Sequence, residues 1–250
     1  MDKIPYGTPE VDFGLLDEIA KGNEKANILF AAVDYGIFNL LTQPKTADQV
    51  SERIKTDTYL TEKFLNTLVA LNLLHKIESR YSNTKLAETF LVKRSPFYQG
   101  TLFAMKRRGL TDWQRISEAL KNGGIQTGTG NKSIIDRTFI KGHAEVAISG
   151  VMQRAVDVIS TLPEFENAKK ILDLGGGHGL YSIAFHQVKP DLEVVLFDFM
   201  LAMMRSEHRV YTLGEYIHLL DAVGFSITRI LDLSYPQDPT KIIIAKKERC

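Results

Sequence analysis

Apolar positions recur at helical spacing along the first third of the chain. From about Asn23 to Leu41, the residues Leu29, Val33, Ile37 and Leu40 fall on one stripe, and Ile28, Ala32 and Leu41 widen it beyond what one surface helix buries. This helix is expected to meet two partners. Thr46-Ala-Asp-Gln49 has the form of a capping box, opening a second, short helix with Val50 and Ile54 inward. A third helix is predicted from about Leu60 to Leu74, carrying Phe64, Leu65, Leu68, Val69 and Leu71. Leu74 to Tyr81 then alternates around a short polar turn, which predicts a small β-hairpin.

Three helices and a hairpin make a winged helix over residues 1–92. Such a module raises the question of DNA, and the third helix answers it. The stretch TEKFLNTLVALNL holds one lysine against one glutamate, and its other faces are apolar or small, so it reads as packed inside and not lying in a groove. Lys76, Arg80 and the Lys106-Arg107-Arg108 cluster are too few for a basic stripe. Residues 93–165 form a helical connector. Phe97 to Arg108 and Asp112 to Leu120 are predicted as two helices broken at Gly109, with Trp113, Ile116 and Leu120 facing one way; residues 123–131, GGIQTGTGN, read as a flexible loop. Ala144 to Thr161 is predicted as one long helix with Ile148, Val151, Met152, Ala155 and Ile159 on a continuous stripe. Met152 is a weak candidate to lie over a ligand, weighed against plain core packing.

The period changes after this helix. Ile171-Leu172 and Val194-Val195-Leu196-Phe197 are short runs rich in strand formers and read as parallel strands buried on both faces. The crossover between them is a helix with Leu180, Ile183, Ala184 and Val188 at helical spacing. Gly175, Gly176, Gly177 and Gly179 stand between the first strand and that helix. Removing Cβ lets the backbone adopt positive φ and lets a ligand lie against the main chain, and the helix N-terminus offers N–H groups to an anion. Asp198 closes the second strand at the carboxyl edge of the sheet, where an acid suits a ribose diol. Counted from Gly175, the sixth position is Leu180, so the dinucleotide fingerprint is not met, and the phosphate loop ending in Gly-Lys-Ser/Thr is absent.

Charge and cysteine content narrow the classes. The net charge is +1 and 24% of residues are charged, which gives no case for nucleic acid or a membrane surface. A single cysteine, Cys250, excludes an internal disulfide and is too isolated for a metal cluster, so no metal site is expected. The first residues lack the apolar core of a signal peptide, and a cytoplasmic protein is expected.

The pattern Asp173-x-Gly175-x-Gly177-x-Gly179 resembles the first motif of class I S-adenosylmethionine-dependent methyltransferases. With the preceding winged helix and connector, most of the chain resembles the small-molecule O-methyltransferases of the plant caffeate and acetylserotonin type, which include bacterial antibiotic-tailoring enzymes. The resemblance implies an α/β, Rossmann-like methyltransferase domain over residues 166–250, preceded by an all-α winged-helix dimerisation domain. It implies a homodimer, S-adenosyl-L-methionine as cofactor and a small hydroxylated acceptor, aromatic or polyketide-like, with the connector contributing to the substrate pocket. Gly175, Gly176, Gly177 and Gly179 would contact the methionine part through the backbone, Asp173 would orient its ammonium end or the loop itself, and Asp198 would hold the ribose hydroxyls. The closing elements match too: Thr212-Leu-Gly-Glu215 opens a helix ending near Gly224, and Phe225 to Leu233 with Lys241 to Lys246 forms a hairpin around residues 236–239.

The middle departs from the family. Three further strand and helix units, at roughly 30 residues each, should follow Asp198, and only residues 199–211 intervene. The central strands of the sheet are missing, together with the segment that carries the family's histidine base. Without them the two halves of the sheet would share no edge, and apolar faces would stand exposed. Either an internal segment is omitted, with residues 199–204 an abrupt join, or this is a genuine short form. The short form favours another reading, a non-catalytic dimeric binding or regulatory protein. Among the six histidines His178 lies in the glycine loop, His143 at the start of the long connector helix, and His75, His186, His208 and His218 in ordinary hairpin, helix or loop settings. No catalytic base is assigned.

Overall fold

A computed structural model of the chain describes residues 10–123, 137–197, 213–222, 225–232 and 241–247. They fall into two compact units, Met1–Val151 and Met152–Cys250.

The first unit opens with α1 (Gly14–Asp34), which starts earlier than its apolar stripe suggested and stops before Ile37. The stop is Gly36, held at φ 66°, a left-handed conformation that glycine takes without steric cost. A separate turn, α2 (Ile37–Leu40), then carries Ile37 and Phe38 into the core. After β1 (Lys45–Thr46), the capping box opens α3 (Ala47–Ile54) as expected: the Gln49 N–H donates to Thr46 Oγ1 at 3.3 Å, and the Thr46 N–H donates to Gln49 Oε1 at 3.1 Å. Asp57 caps α4 (Thr58–Ala70) by accepting from the Leu60 N–H at 2.8 Å. The predicted hairpin is β2 (Leu74–Ile77) with β3 (Arg80–Asn83), and β1 adds to the far side of β3, giving the order β1-β3-β2.

Leu65 and Leu68 of α4 are fully buried against Phe38, Leu41, Val50 and Leu74. The hairpin is tied to α4 by polar groups. Tyr81 Oη donates to Asn66 Oδ1 at 2.8 Å, and Lys76 Nζ donates to the same oxygen at 3.0 Å while lying 4.9 Å from the centre of the Tyr81 ring. Beyond the hairpin, α5 (Lys85–Phe90) is capped by Thr84.

The connector differs from its sequence expectation twice. Gly109 does not break a helix, since α6 (Gly100–Gln114) runs through it, and the interruption comes at Arg115 before α7 (Ile116–Asn122). Glycine weakens a helix by only about 1 kcal/mol relative to alanine, which flanking residues offset. Trp113, Ile116 and Leu120 are exposed. The stretch from Ala144 to Thr161 is not one helix: α8 (Arg137–Val146) passes into a π-turn (Ala147–Val151) in which Gly150 has φ 119°, and α9 (Met152–Ser160) begins anew. That φ lies outside helical space for an L side chain. The α6–α8 contact is locked by Glu145, whose buried Oε2 accepts from the Leu102 N–H in the first turn of α6 at 2.8 Å, where helix polarity favours an anion. Burial, and secondly the Glu145 charge, raise the pKa of the Tyr98 hydroxyl above its ordinary value.

The second unit is built on α9, α10 (Pro163–Asn167), β4 (Lys170–Leu174), α11 (Leu180–Val188) and β5 (Glu193–Phe197). The strands β4 and β5 pair in parallel with Ile171 opposite Val194 and Asp173 opposite Leu196, as the run of strand, crossover and strand predicted. Val156, Leu162, Phe165, Phe185 and Leu192 form its core. The helix α12 (Leu213–Ala222) precedes β6 (Phe225–Asp232) and β7 (Lys241–Lys247), which pair antiparallel with a bulge between Ile227 and Arg229.

The expected burial of β4 and β5 on both faces is not observed. Leu172 and Leu174 are 50% and 56% exposed, and Val195 and Leu196 are exposed as well, while Ile171 and Val194 turn to the core. Among the described residues β4–β5 and β6–β7 are separate two-stranded sheets. No described helix is long and apolar enough to cross a membrane.

One lysine fastens this unit. Lys189 Nζ donates to the carbonyls of Phe165, Glu166 and Ala168 at 3.1, 2.6 and 2.6 Å, satisfying the C-terminal carbonyls of α10. Lys189→Met keeps the aliphatic stem and removes these bonds, and it is expected to cost about 1–2 kcal/mol, read as a lower midpoint in denaturant. An unchanged midpoint would show the bonds to be replaced by water without loss.

Candidate functional site

The glycine loop takes its shape from three left-handed residues. Gly175, Gly177 and Gly179 have φ 78°, 51° and 74°, so the loop turns sharply off the end of β4 and delivers the chain to α11. The turn closes with the Gly179 N–H donating to the Gly176 carbonyl at 2.8 Å. Side chains at these positions would be strained by conformation, and at Gly176 by space: a Cβ there would lie 2.8 Å from Asp173 Oδ2 and 3.0 Å from Leu196 Cγ. At Gly175 the corresponding space is empty to 4 Å. The main chain at Gly175 is therefore open to a ligand, whereas Gly176 is buried against the Asp173 carboxylate.

Asp173 is half-buried beneath this loop. Its Oδ2 accepts from Ser182 Oγ at 2.6 Å, a link from the end of strand β4 to the first turn of α11 across the base of the glycines. Ser182 was not legible as a site residue. The helical spacing rests on Leu180, Ile183, Ala184 and Val188, yet Ile183 and Val188 are more than half exposed, and the buried positions are Ser182 and Phe185. The signal that could have found it is a hydroxyl nine residues after the acid, within reach of a carboxylate that the glycine loop folds back toward the helix.

His178 folds onto the same helix start. Its Nδ1 accepts from the Leu180 N–H at 3.2 Å, and the ring stacks on Tyr181 with centroids 6.3 Å apart. The first N–H of α11 is thus already engaged by a loop side chain. His143 stands in the last turn of α8, not at the start of a helix, with Nδ1 2.9 Å from the Phe139 carbonyl and its ring 4.2 Å from the Phe139 ring. His186 Nδ1 lies 3.2 Å from the Leu192 carbonyl. Met152 packs, partly buried, against the Val156, Leu162, Phe165, Phe185 and Leu192 core.

Asp198, His208, the run 199–204, Thr212, Gly224 and the turn 236–239 lie outside the described residues, as do residues 124–131 of the connector loop. Among the described residues no three His, Cys, Asp or Glu side chains stand close enough to hold a metal ion. A half-open cavity of about 530 Å³ lies between α12 and β6, lined by Gly214, Ile217, His218, Asp221, Phe225, Ser226 and Ile227. None of these belongs to the glycine loop, where positive-φ backbone, an acid and a helix start converge.

Residues 18–93 match the O-methyltransferase dimerisation domain. The chain is 30% identical over 208 residues to the acetylserotonin O-methyltransferase of Bos taurus, covering 74% of this chain and 59% of that enzyme. It is 27% identical over 191 residues to the N,N-dimethyltransferase OxyT of Streptomyces rimosus, covering 72% of this chain and 55% of OxyT. The chain therefore spans a little over half the length of these relatives. The crystal structure of human N-acetylserotonin methyltransferase in complex with S-adenosylmethionine superposes with a TM-score of 0.63 over 85% of this chain and 66% of that one, at 21% identity, and shares the fold.

Proposed function

We propose that this chain, a relative of the S-adenosylmethionine-dependent O-methyltransferases by its dimerisation domain and by sequence, is itself a methyltransferase that places the methionine end of S-adenosylmethionine on the 175–179 loop. The carrying observation is that loop: three glycines at positive φ between a parallel strand and its crossover helix, with an acid fixed underneath. The residues present fit the ligand. The open main chain at Gly175 admits its amino-acid end to close approach, and Asp173 supplies a carboxylate for an ammonium.

When bound, S-adenosylmethionine would supply a methyl group on a positively charged sulfur. The Gly175 main chain and Asp173 would hold its amino-acid end, and the chemistry it would supply there is transfer of that methyl group to an acceptor oxygen. This chain's contribution is position: loop and acid hold one reactant still, which converts an encounter into a near-attack geometry. Asp198 is assigned to the ribose hydroxyls, and Met152 stays a candidate acceptor contact. No residue is assigned as base. A hydroxyl on a small aromatic or polyketide-like molecule is the acceptor we infer, and the N,N-dimethyltransferase among the relatives makes an amine the natural counter-screen.

The domain scheme accompanies this reading: a winged-helix dimerisation module over 1–92, a connector over 93–165 contributing to the acceptor pocket, a Rossmann-like domain over 166–250 and a homodimer in the cytoplasm. The exposed Leu15, Leu16 and Ile19 of α1 support the dimer. We also read the centre of the sheet as missing between Asp198 and Thr212. Support comes from the uncovered faces of Leu172, Leu174 and Val195, from the separation of β4–β5 and β6–β7, and from the relatives' greater length. The relatives described are methyltransferases by name, which does not favour the non-catalytic alternative.

Calorimetric titration with S-adenosylmethionine tests the assignment. Binding is expected with a dissociation constant between about 1 μM and 1 mM. Absence of heat at millimolar ligand would overturn it.

A further inference from the structure

We propose that Ser182 is a positioning residue for the amino-acid end of S-adenosylmethionine, acting through Asp173; the proposal rests on the cofactor reading above. Ser182 is the third residue of α11 and only 9% exposed, on a face shared with Phe185. A buried hydroxyl is costly unless it is hydrogen-bonded, and this one spends its proton on Asp173 Oδ2 at 2.6 Å, the short distance of a bond to an ionised acceptor.

The bond does more than satisfy a buried group. Asp173 leaves β4 toward the loop, and the Gly176 main chain sits directly on its carboxylate, since even a Cβ there would approach Oδ2 to 2.8 Å and Cγ to 2.9 Å. Gly176 and Ser182 both crowd the carboxylate at Oδ2. Ser182 thereby fixes which oxygen is engaged internally, leaving Oδ1 to accept from a ligand's ammonium in one orientation. Without the hydroxyl, the carboxylate is free to rotate about its terminal torsion, which has broad minima. The price falls on ligands that carry an amino-acid tail.

That restriction makes the test specific. S-adenosylhomocysteine has the tail, and 5′-methylthioadenosine shares the nucleoside and sulfur but lacks it. In calorimetric titrations of the purified protein, Ser182→Ala is expected to weaken S-adenosylhomocysteine at least about tenfold while 5′-methylthioadenosine changes less than twofold. If Ser182→Ala does not fold, Ser182→Cys, which keeps the volume and weakens the donor, carries the same contrast with a smaller loss. Unchanged S-adenosylhomocysteine binding overturns the proposal, and so does an equal loss of both ligands, which would mark Ser182 as a prop of the whole loop. A wild-type protein that binds neither ligand sinks the cofactor reading itself, an outcome separable from any behaviour of the variants.

Discussion

Gly176→Val is expected to reduce affinity for S-adenosylhomocysteine by roughly 10- to 100-fold, the largest loss among single changes in the loop. The backbone at Gly176 is not left-handed, so conformation alone would tolerate a side chain. Space does not. A Cβ would lie 2.8 Å from Asp173 Oδ2 and 3.0 Å from Leu196 Cγ, and the carboxylate cannot swing aside without breaking its bond to Ser182. Forcing methyl groups into such a site costs about 1–3 kcal/mol, and every 1.4 kcal/mol transferred to the ligand equilibrium is about tenfold in affinity. Gly175→Ala makes the informative comparison. Its Cβ meets nothing within 4 Å, but φ 78° carries a penalty of about 1–2 kcal/mol for an L residue. It should therefore lose less than Gly176→Val. Calorimetry on both variants decides the matter, and wild-type affinity in Gly176→Val would show that the ligand does not depend on this loop.

What the sequence disclosed and what it hid divide along a physical line. The Thr46 capping box, the hairpin after Leu74 and the strand, loop, helix and strand around the glycines were readable because their causes are local: a side chain three residues from its partner, a turn between alternating residues, glycines where φ must be positive. The inward face of α11 was not readable. Its apolar residues, Leu180, Tyr181, Ile183, Ala184, Phe185 and Val188, surround the helix, so periodicity cannot choose a face, and the choice falls to a polar contact between Ser182 and Asp173. Gly109 and Gly150 show the same limit from the other side. One glycine lies inside an uninterrupted helix and the other breaks the helix outright, and only the surrounding packing distinguishes them. The apolar run of β5 predicted two covered faces, yet covering a second face requires another element. Asp198, the sequence's choice for the ribose, falls outside the described residues, so the site as described holds the methionine end of the reading alone.

Phe38→Ala is expected to remove about 3–5 kcal/mol from the first unit, out of a total stability of about 5–15 kcal/mol for an ordinary domain. Phe38 is 1% exposed on a single helical turn, packed in the cluster that holds Leu41, Leu65, Leu68 and Tyr81. Its backbone is also fixed from outside: the Phe38 carbonyl accepts from Asn83 Nδ2 at 2.8 Å, which limits how far α2 can collapse into the cavity left by the ring. A site that cannot relax keeps the full cavity cost. Phe38 lies within residues 18–93, which match the dimerisation domain, so denaturant unfolding should show the loss, and sedimentation should show weakened self-association in the same variant if the proposed homodimer forms through this domain. Ile19→Ala separates the two effects. Ile19 is exposed on α1, so its truncation should leave unfolding within about 0.5 kcal/mol of wild type while weakening self-association if that face meets a second copy. A Phe38→Ala protein as stable as wild type would mean that the cluster repacks around the missing ring, and the Asn83 bond would then have failed to hold α2 in place.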